Sequence, residues 1–293
     1  MSHYLLSVIL GIVEGLTEFL PVSSTAHLRI SESILGHMFP AMGLSLSSGY
    51  WKMYSIVIQL GAILCLPFYF RHRIATLLST FPSGADGRKT VLTHPLGLTM
   101  VAFVFTAVPS LLLTKLIGKN LESLYVMAGA LILGGGVMWV VDAYCGSKVS
   151  RTTAMEQMSL GQAIWIGCCQ VLSAVFPGTS RSMSTIAAGQ IADMSRPAAL
   201  EFSFFLSIPT MTAATCYDLF KSLRHSQSGG EIGVAPHDLH GWIVLAIGFL
   251  VSFVVAYGVV AWFMNWVRTR GFAPFAIYRI LAGAAVLVWA VRA

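Results

Sequence analysis

The chain has 293 residues, of which 56% are hydrophobic and only 10% charged. A soluble domain carries about 25% charged residues, so most of this chain belongs in lipid rather than around a water-facing core. The net charge of +6 is scattered over short loops such as Arg71-His72-Arg73 and Arg268-Thr269-Arg270, without a basic stripe interleaved with aromatics, which argues against a nucleic-acid partner.

The first apolar run, from Tyr4, has no basic leader and no small-residue cleavage site, so it is read as mature protein rather than signal peptide. It belongs to an interrupted apolar segment, about 4–36, that carries Glu14, Glu18, Pro21, His27 and Arg29. A long connection over 31–52 leads to three uninterrupted segments at about 53–70, 95–117 and 124–141. Each is close to the roughly 20 apolar residues that cross a bilayer. A second interrupted segment, about 160–193, carries Gln170, Pro177, Gly178 and Arg181, and three more apolar segments follow at about 202–219, 242–267 and 273–291. Cys65, Cys145, Cys168, Cys169 and Cys216 lack metal-ligand spacing and are read as packing residues.

The two interrupted segments resemble each other. Without a gap, Gly11, Leu16, Pro21 and Ser24 align with Gly167, Leu172, Pro177 and Ser180, while Glu14 meets Gln170. Three spans follow each copy, so the halves 1–150 and 151–293 start on opposite faces if each interrupted segment returns to its own side. The expected fold is an all-α polytopic membrane protein with an inverted-topology repeat: one membrane domain over 1–293, six transmembrane helices and two re-entrant helical hairpins. Proline ends the first helix of each copy. Ser23, Ser24 and Thr25, and likewise Thr179 and Ser180, then start a second helix inside the membrane. Irregular backbone at that depth is tolerated where it lines a polar cavity, and helix N-termini favour anions there.

Glu14 and Glu18 are four apart and share a helix face. Two buried carboxylates repel unless a cation lies between them, and hard oxygen ligands suit Mg²⁺ or Ca²⁺. Arg181 lies between Ser180 and Ser182 and presents a planar fork suited to phosphate oxygens. His27 is three residues past Ser24 on the new helix, the spacing of a serine beside a general base. Together these residues suit phosphoryl transfer on a lipid phosphate: Ser24, His27, Glu14, Glu18 and Arg181 as catalytic groups, with Ser23, Thr25, Ser180 and Ser182 beside the phosphates.

The run Glu14-Gly-Leu-Thr-Glu-Phe-Leu-Pro-Val-Ser-Ser-Thr-Ala-His27 resembles the acidic and serine motif of the bacterial undecaprenyl-diphosphatases of the BacA/UppP bacitracin-resistance family. Pro177-Gly-Thr-Ser-Arg-Ser-Met-Ser-Thr185 resembles that family's second motif, and the similarity continues through Val57–Gly61, Glu201–Phe204 and Pro274–Arg279. Ala26 stands where the family usually has glycine. The resemblance implies removal of one phosphate from undecaprenyl diphosphate, carrier recycling for peptidoglycan synthesis and bacitracin resistance. It also implies a bacterial cytoplasmic membrane location and a fold of two re-entrant hairpins with six spans, its functional residues falling on Glu14, Glu18, Ser24, His27 and Arg181. Gln59, Glu201, Tyr278 and Arg279, polar residues in apolar segments, are read as supporting rather than catalytic.

One alternative is a transporter or flippase of polyprenyl phosphates, since broken helices and midplane charges are a transporter pattern too. The loops at 71–94, 142–160, 194–201 and 268–272 hold nine Lys or Arg against seven on the other side, which sets both termini and the site outside. Gly129 and Gly134-Gly-Gly136 permit close helix packing, within a chain or in a homodimer.

Overall fold

A computed structural model describes residues 2–40, 43–46, 49–120, 123–146, 148–226 and 238–292, with side chains of 118–120 and 221–226 set aside. Ser47 and Ser48 of the long first connection lie outside the described residues. Among the described residues there are twelve α-helices, one 3₁₀ turn at Met155–Gln157 and no strand beyond a single bridge between Thr152 and Met194. Five helices are long and apolar enough to cross a membrane, which makes this a multi-pass membrane protein. They are α3 (Gly49–Tyr69), α5 (Pro95–Leu112), α7 (Leu124–Cys145), α11 (Leu239–Thr269) and α12 (Ala273–Arg292). The expected segment 202–219 falls inside one longer helix, α10 (Arg196–Ser226). The segment expected over 95–117 instead divides at Leu113 into α5 and α6 (Thr114–Asn120), with Pro109 in the last turn of α5. Large outward side chains such as Leu133, Val254 and Leu281 are 72%, 65% and 66% exposed, the surface a lipid-facing helix presents.

Both interrupted segments break where proline predicts. The first forms α1 (His3–Thr17) and α2 (Ser24–Met38), the second α8 (Leu160–Val175) and α9 (Arg181–Ile191). At 15 and 16 residues, α1 and α8 are about 22–24 Å long, short of the roughly 30 Å hydrocarbon core. Ser180 caps α9, one of the hydroxyl residues expected there; Ser2 also caps α1, and Ser159 caps α8 in a capping box with Gln162. Each break contains a serine in the left-handed region, Ser23 at φ 75° and Ser180 at φ 68°.

The chain divides into two compact units. The first comprises residues 1–19, 24–69 and 211–260. Its core gathers Leu6, Leu10, Leu46, Trp51, Tyr54, Ile58 and Val244. Ser7 donates to Val244 O at 2.6 Å, Tyr54 donates to Ser7 O at 2.8 Å and Ser252 donates to Ile58 O at 2.7 Å, so hydroxyls tie α1, α3 and α11 where lipid supplies no water. Gly11 and Gly15 let α1 meet the α11 backbone directly: a Cβ on Gly15 would stand 2.8 Å from Ser252 O.

The second unit comprises 20–23, 70–210 and 261–293, and includes α4 (Arg71–Ser79). α7 packs along α12, and α5 along α8, where Thr106 donates to Gly167 O at 2.9 Å. Buried Asp142 accepts from Arg196 Nε at 2.6 Å and from the Phe272 amide at 2.8 Å, tying α7 and α10 to the start of α12. Arg73 pairs with Glu156 at 2.6 Å and Glu201 at 2.8 Å.

Candidate functional site

The first unit holds the acidic residues. Glu18 continues α1 as its helical C-cap, its amide bonded to Glu14 O at 2.9 Å, so the two carboxylates lie one turn apart on one face. Both are buried, Glu14 at 1% and Glu18 at 7% exposure. No hydrogen-bond donor other than the neighbouring Glu18 carboxyl reaches either carboxylate oxygen of Glu14. A buried oxygen pair without a further donor is expensive to keep in lipid and is what a cation or a proton would relieve. Ser24 opens α2 and donates its hydroxyl to Glu18 Oε2 at 2.5 Å, the distance of a charge-assisted O–H···O bond. His27 follows three residues later and is half-buried, while Thr25 in the first turn is exposed. Arg29 turns away to pair with Glu32 at 3.1 Å.

The second unit holds the serine–arginine turn. Ser180 Oγ caps the Met183 amide and lies 3.1 Å from Ser182 Oγ. Ser182 in turn donates to Leu20 O at 3.0 Å, and Leu20–Ser23, the break of the first segment, belongs to this unit. Arg181 donates to Ser207 Oγ and to Ser203 O, and Thr185 shares a 2.6 Å hydrogen bond with Ser203. Sequence reasoning missed Ser203 and Ser207. Their four-residue spacing in α10 was the available signal, since it puts both hydroxyls on one helix face.

A further group ties the two breaks. Arg279, fully buried on α12, donates from Nη1 to Pro21 O at 3.0 Å, and from Nη2 to Gly178 O at 3.0 Å and Ala130 O at 3.1 Å. Gly134 makes room for it, because a Cβ there would strike the guanidinium. Gly178 is constrained twice: its φ is 98°, and a Cβ would meet Met127 O at 2.5 Å.

Among the described residues, no group of three or more His, Cys, Asp or Glu is placed to hold a metal ion. Glu14 and Glu18 bring two carboxylates one turn apart. That donor set suits a hard divalent cation whose remaining ligands are water and phosphate oxygens.

Short helices broken at Pro21 and Pro177, with buried carboxylates at the C-terminal end of α1 and a Ser-Arg-Ser segment at the start of α9, define a multi-pass helical membrane protein with polar groups gathered at its helix breaks. The family model described as "Bacitracin resistance protein BacA" matches residues 7–285, and the chain belongs to that family. It is 64% identical over 293 residues, covering 100% of both chains, to a protein named undecaprenyl-diphosphatase from Koribacter versatilis. Proteins of the same name from Caldanaerobacter subterraneus and Novosphingobium aromaticivorans are each 39% identical, over 95% and 99% of this chain and 93% and 98% of theirs.

Proposed function

We propose that this protein hydrolyses the terminal phosphoanhydride bond of undecaprenyl diphosphate, giving undecaprenyl phosphate and inorganic phosphate. The reaction recycles the lipid carrier for peptidoglycan synthesis and, by depleting the diphosphate, confers bacitracin resistance. The observation that carries this reading is the 2.5 Å hydrogen bond from Ser24 to Glu18 within a chain of this family. A hydroxyl already bonded to a carboxylate is a nucleophile with its proton acceptor in place. Transport requires neither, and the relatives carry the name of a phosphatase.

Ser24 Oγ attacks the terminal phosphorus, its proton passes to Glu18, and the lipid monophosphate leaves with the anhydride oxygen. His27, one turn along the same face of α2, serves as base for the water that then releases phosphate from the serine. Arg181, with Ser180 and Ser182, binds phosphoryl oxygens, for which a guanidinium between hydroxyls and a helix N-terminus is suited. Ser23 and Thr25 offer further donors at the start of α2. Glu14 and Glu18 would hold a divalent cation, Mg²⁺ or Ca²⁺, which neutralises phosphate charge when bound. The buried Glu14 oxygens, with no donor beyond the Glu18 carboxyl, support that assignment.

The architecture that suits this chemistry has six spans, α10 supplying the sixth, and two re-entrant hairpins, α1–α2 and α8–α9, related as an inverted repeat. Support comes from the matching breaks and from α1 and α8 being too short to cross. The distribution of Lys and Arg favours the bacterial cytoplasmic membrane with the site facing outward, where the carrier is released, and the glycines of α7 suit a homodimer. The test is phosphate release from undecaprenyl diphosphate by purified protein in detergent. Metal-dependent release, lost in folded Glu18→Gln and Arg181→Ala variants, is expected; a folded, lipid-binding protein that releases none would overturn the reading.

A further inference from the structure

Arg279 was read from the sequence as a supporting residue, and its geometry assigns it something more specific. It is fully buried, and among the described residues no carboxylate pairs with it. Its hydrogen-bond partners are backbone carbonyls, and two of the three belong to helix breaks: Pro21 in the first and Gly178 in the second. The third, Ala130 O, anchors the guanidinium to α7. Carbonyls released at a helix break have no partner within the helix and, at membrane depth, no water. Any donor would relieve one of them. A planar fork with several N–H groups can bridge two breaks 157 residues apart in sequence (Pro21 to Gly178), and an ammonium cannot do so with the same geometry.

We propose that Arg279 is a positioning residue for phosphoryl transfer: its guanidinium locks the Pro21 and Gly178 turns in one arrangement, which fixes where α2 and α9 begin. The role rests on the phosphatase reading, because Ser24 opens α2 and Arg181 opens α9. Each of these reacting side chains follows its clamped carbonyl by three residues, so a shift at either clamped carbonyl carries the start of the helix that follows it.

Two variants separate position from charge. Arg279→Lys keeps the charge and removes the fork. Gly134→Ala keeps arginine and pushes a methyl group into its guanidinium. Phosphate release from undecaprenyl diphosphate and hydrogen–deuterium exchange would be measured on the full chain in detergent. For Arg279→Lys the expected result is a kcat lower by roughly ten- to a hundredfold, the scale of about 1 Å of misplacement, with KM within about twofold. Exchange should rise around Pro21 and around Gly178 and stay unchanged in α3 and α5. Gly134→Ala should move both readouts the same way by less. Unchanged kcat in both variants overturns the proposal, as does exchange that rises evenly across all helices. A wild-type protein inactive on undecaprenyl diphosphate would fail the phosphatase reading instead, and exchange still decides the clamp: unchanged protection at both turns overturns it.

Discussion

Replacing Ser24 by alanine separates attack by the protein from attack by water. Ser24 Oγ stands 2.5 Å from Glu18 Oε2, the short distance of a charge-assisted O–H···O bond and close enough for a proton acceptor working directly on a nucleophile. Alanine removes the attacking oxygen and leaves the first turn of α2 a residue of high helix propensity, so the fold should persist. A positioned general base contributes about 10²–10⁴-fold, and the nucleophile it activates contributes at least as much. Loss of both should lower kcat by about 10³–10⁴-fold, equivalent to about 4–5.5 kcal/mol of transition-state stabilisation, with KM nearly unchanged. Glu18→Gln should fall by about 10²–10⁴-fold for want of an acceptor. The double variant should be little worse than Ser24→Ala, because groups that act as a unit do not add. The assay is steady-state phosphate release in detergent, paired with acid quenching to trap phosphoserine in the wild type. Ser24→Ala turning over at more than about a tenth of the wild-type rate would refute attack by Ser24 and leave a water as nucleophile.

Chelation of divalent cations should abolish phosphate release and Mg²⁺ or Ca²⁺ should restore it, with Glu14→Gln needing more metal; full turnover in chelator would remove the cation from the reaction. Gly15→Ala should lower stability by about 1–3 kcal/mol, because the new methyl meets backbone at Ser252 rather than a flexible side-chain end, and thermal unfolding in detergent reads it against Gly36→Ala, where no atom lies within 4 Å. Outside the spans, burial works to raise the Glu156 carboxyl, but the hydrogen bond and charge of Arg73, aided by Lys89, hold it below the usual glutamate range. A depressed folded-state value means stability that is present above the ordinary glutamate pKa of about 4.3 and is lost as pH falls through the folded-state value. Thermal unfolding should therefore weaken on acidification through that window, and less so in Arg73→Met; equal pH profiles would show that the pair contributes nothing.

The spans were legible because charge is so costly in lipid that about 20 residues without it report a crossing almost by themselves. The breaks were legible for a related reason: Pro21 and Pro177 end α1 and α8, and the hydroxyl residues after them start α2 and α9. Glu14, Glu18, Ser24 and Arg181 stood out as polar groups where apolar ones are the rule. The partners of Arg279 did not, since it binds carbonyls, which every residue carries, and one of them is 258 residues away. Ser203 and Ser207 escaped for the same kind of reason, being hydroxyls in a helix whose use depends on what packs beside it.

The gapless alignment of the two segments matches their prolines, and the positive-φ residues that follow are offset by one. It set Ser24 against Ser180. In the structure the left-handed residue before the second helix is Ser23 in one copy and Ser180 in the other, two and three residues past the proline. Counted from that shared conformation, the first helical residue is Ser24 in one copy and Arg181 in the other. On the proposed mechanism, the same position in the two motifs would carry a nucleophile in one and a phosphate-binding cation in the other. A repeat whose copies stayed chemically alike would supply two nucleophiles or two cations. The extra residue after Pro177, with Gly178 at φ 98° to make the turn possible, is what offsets the second motif by one position.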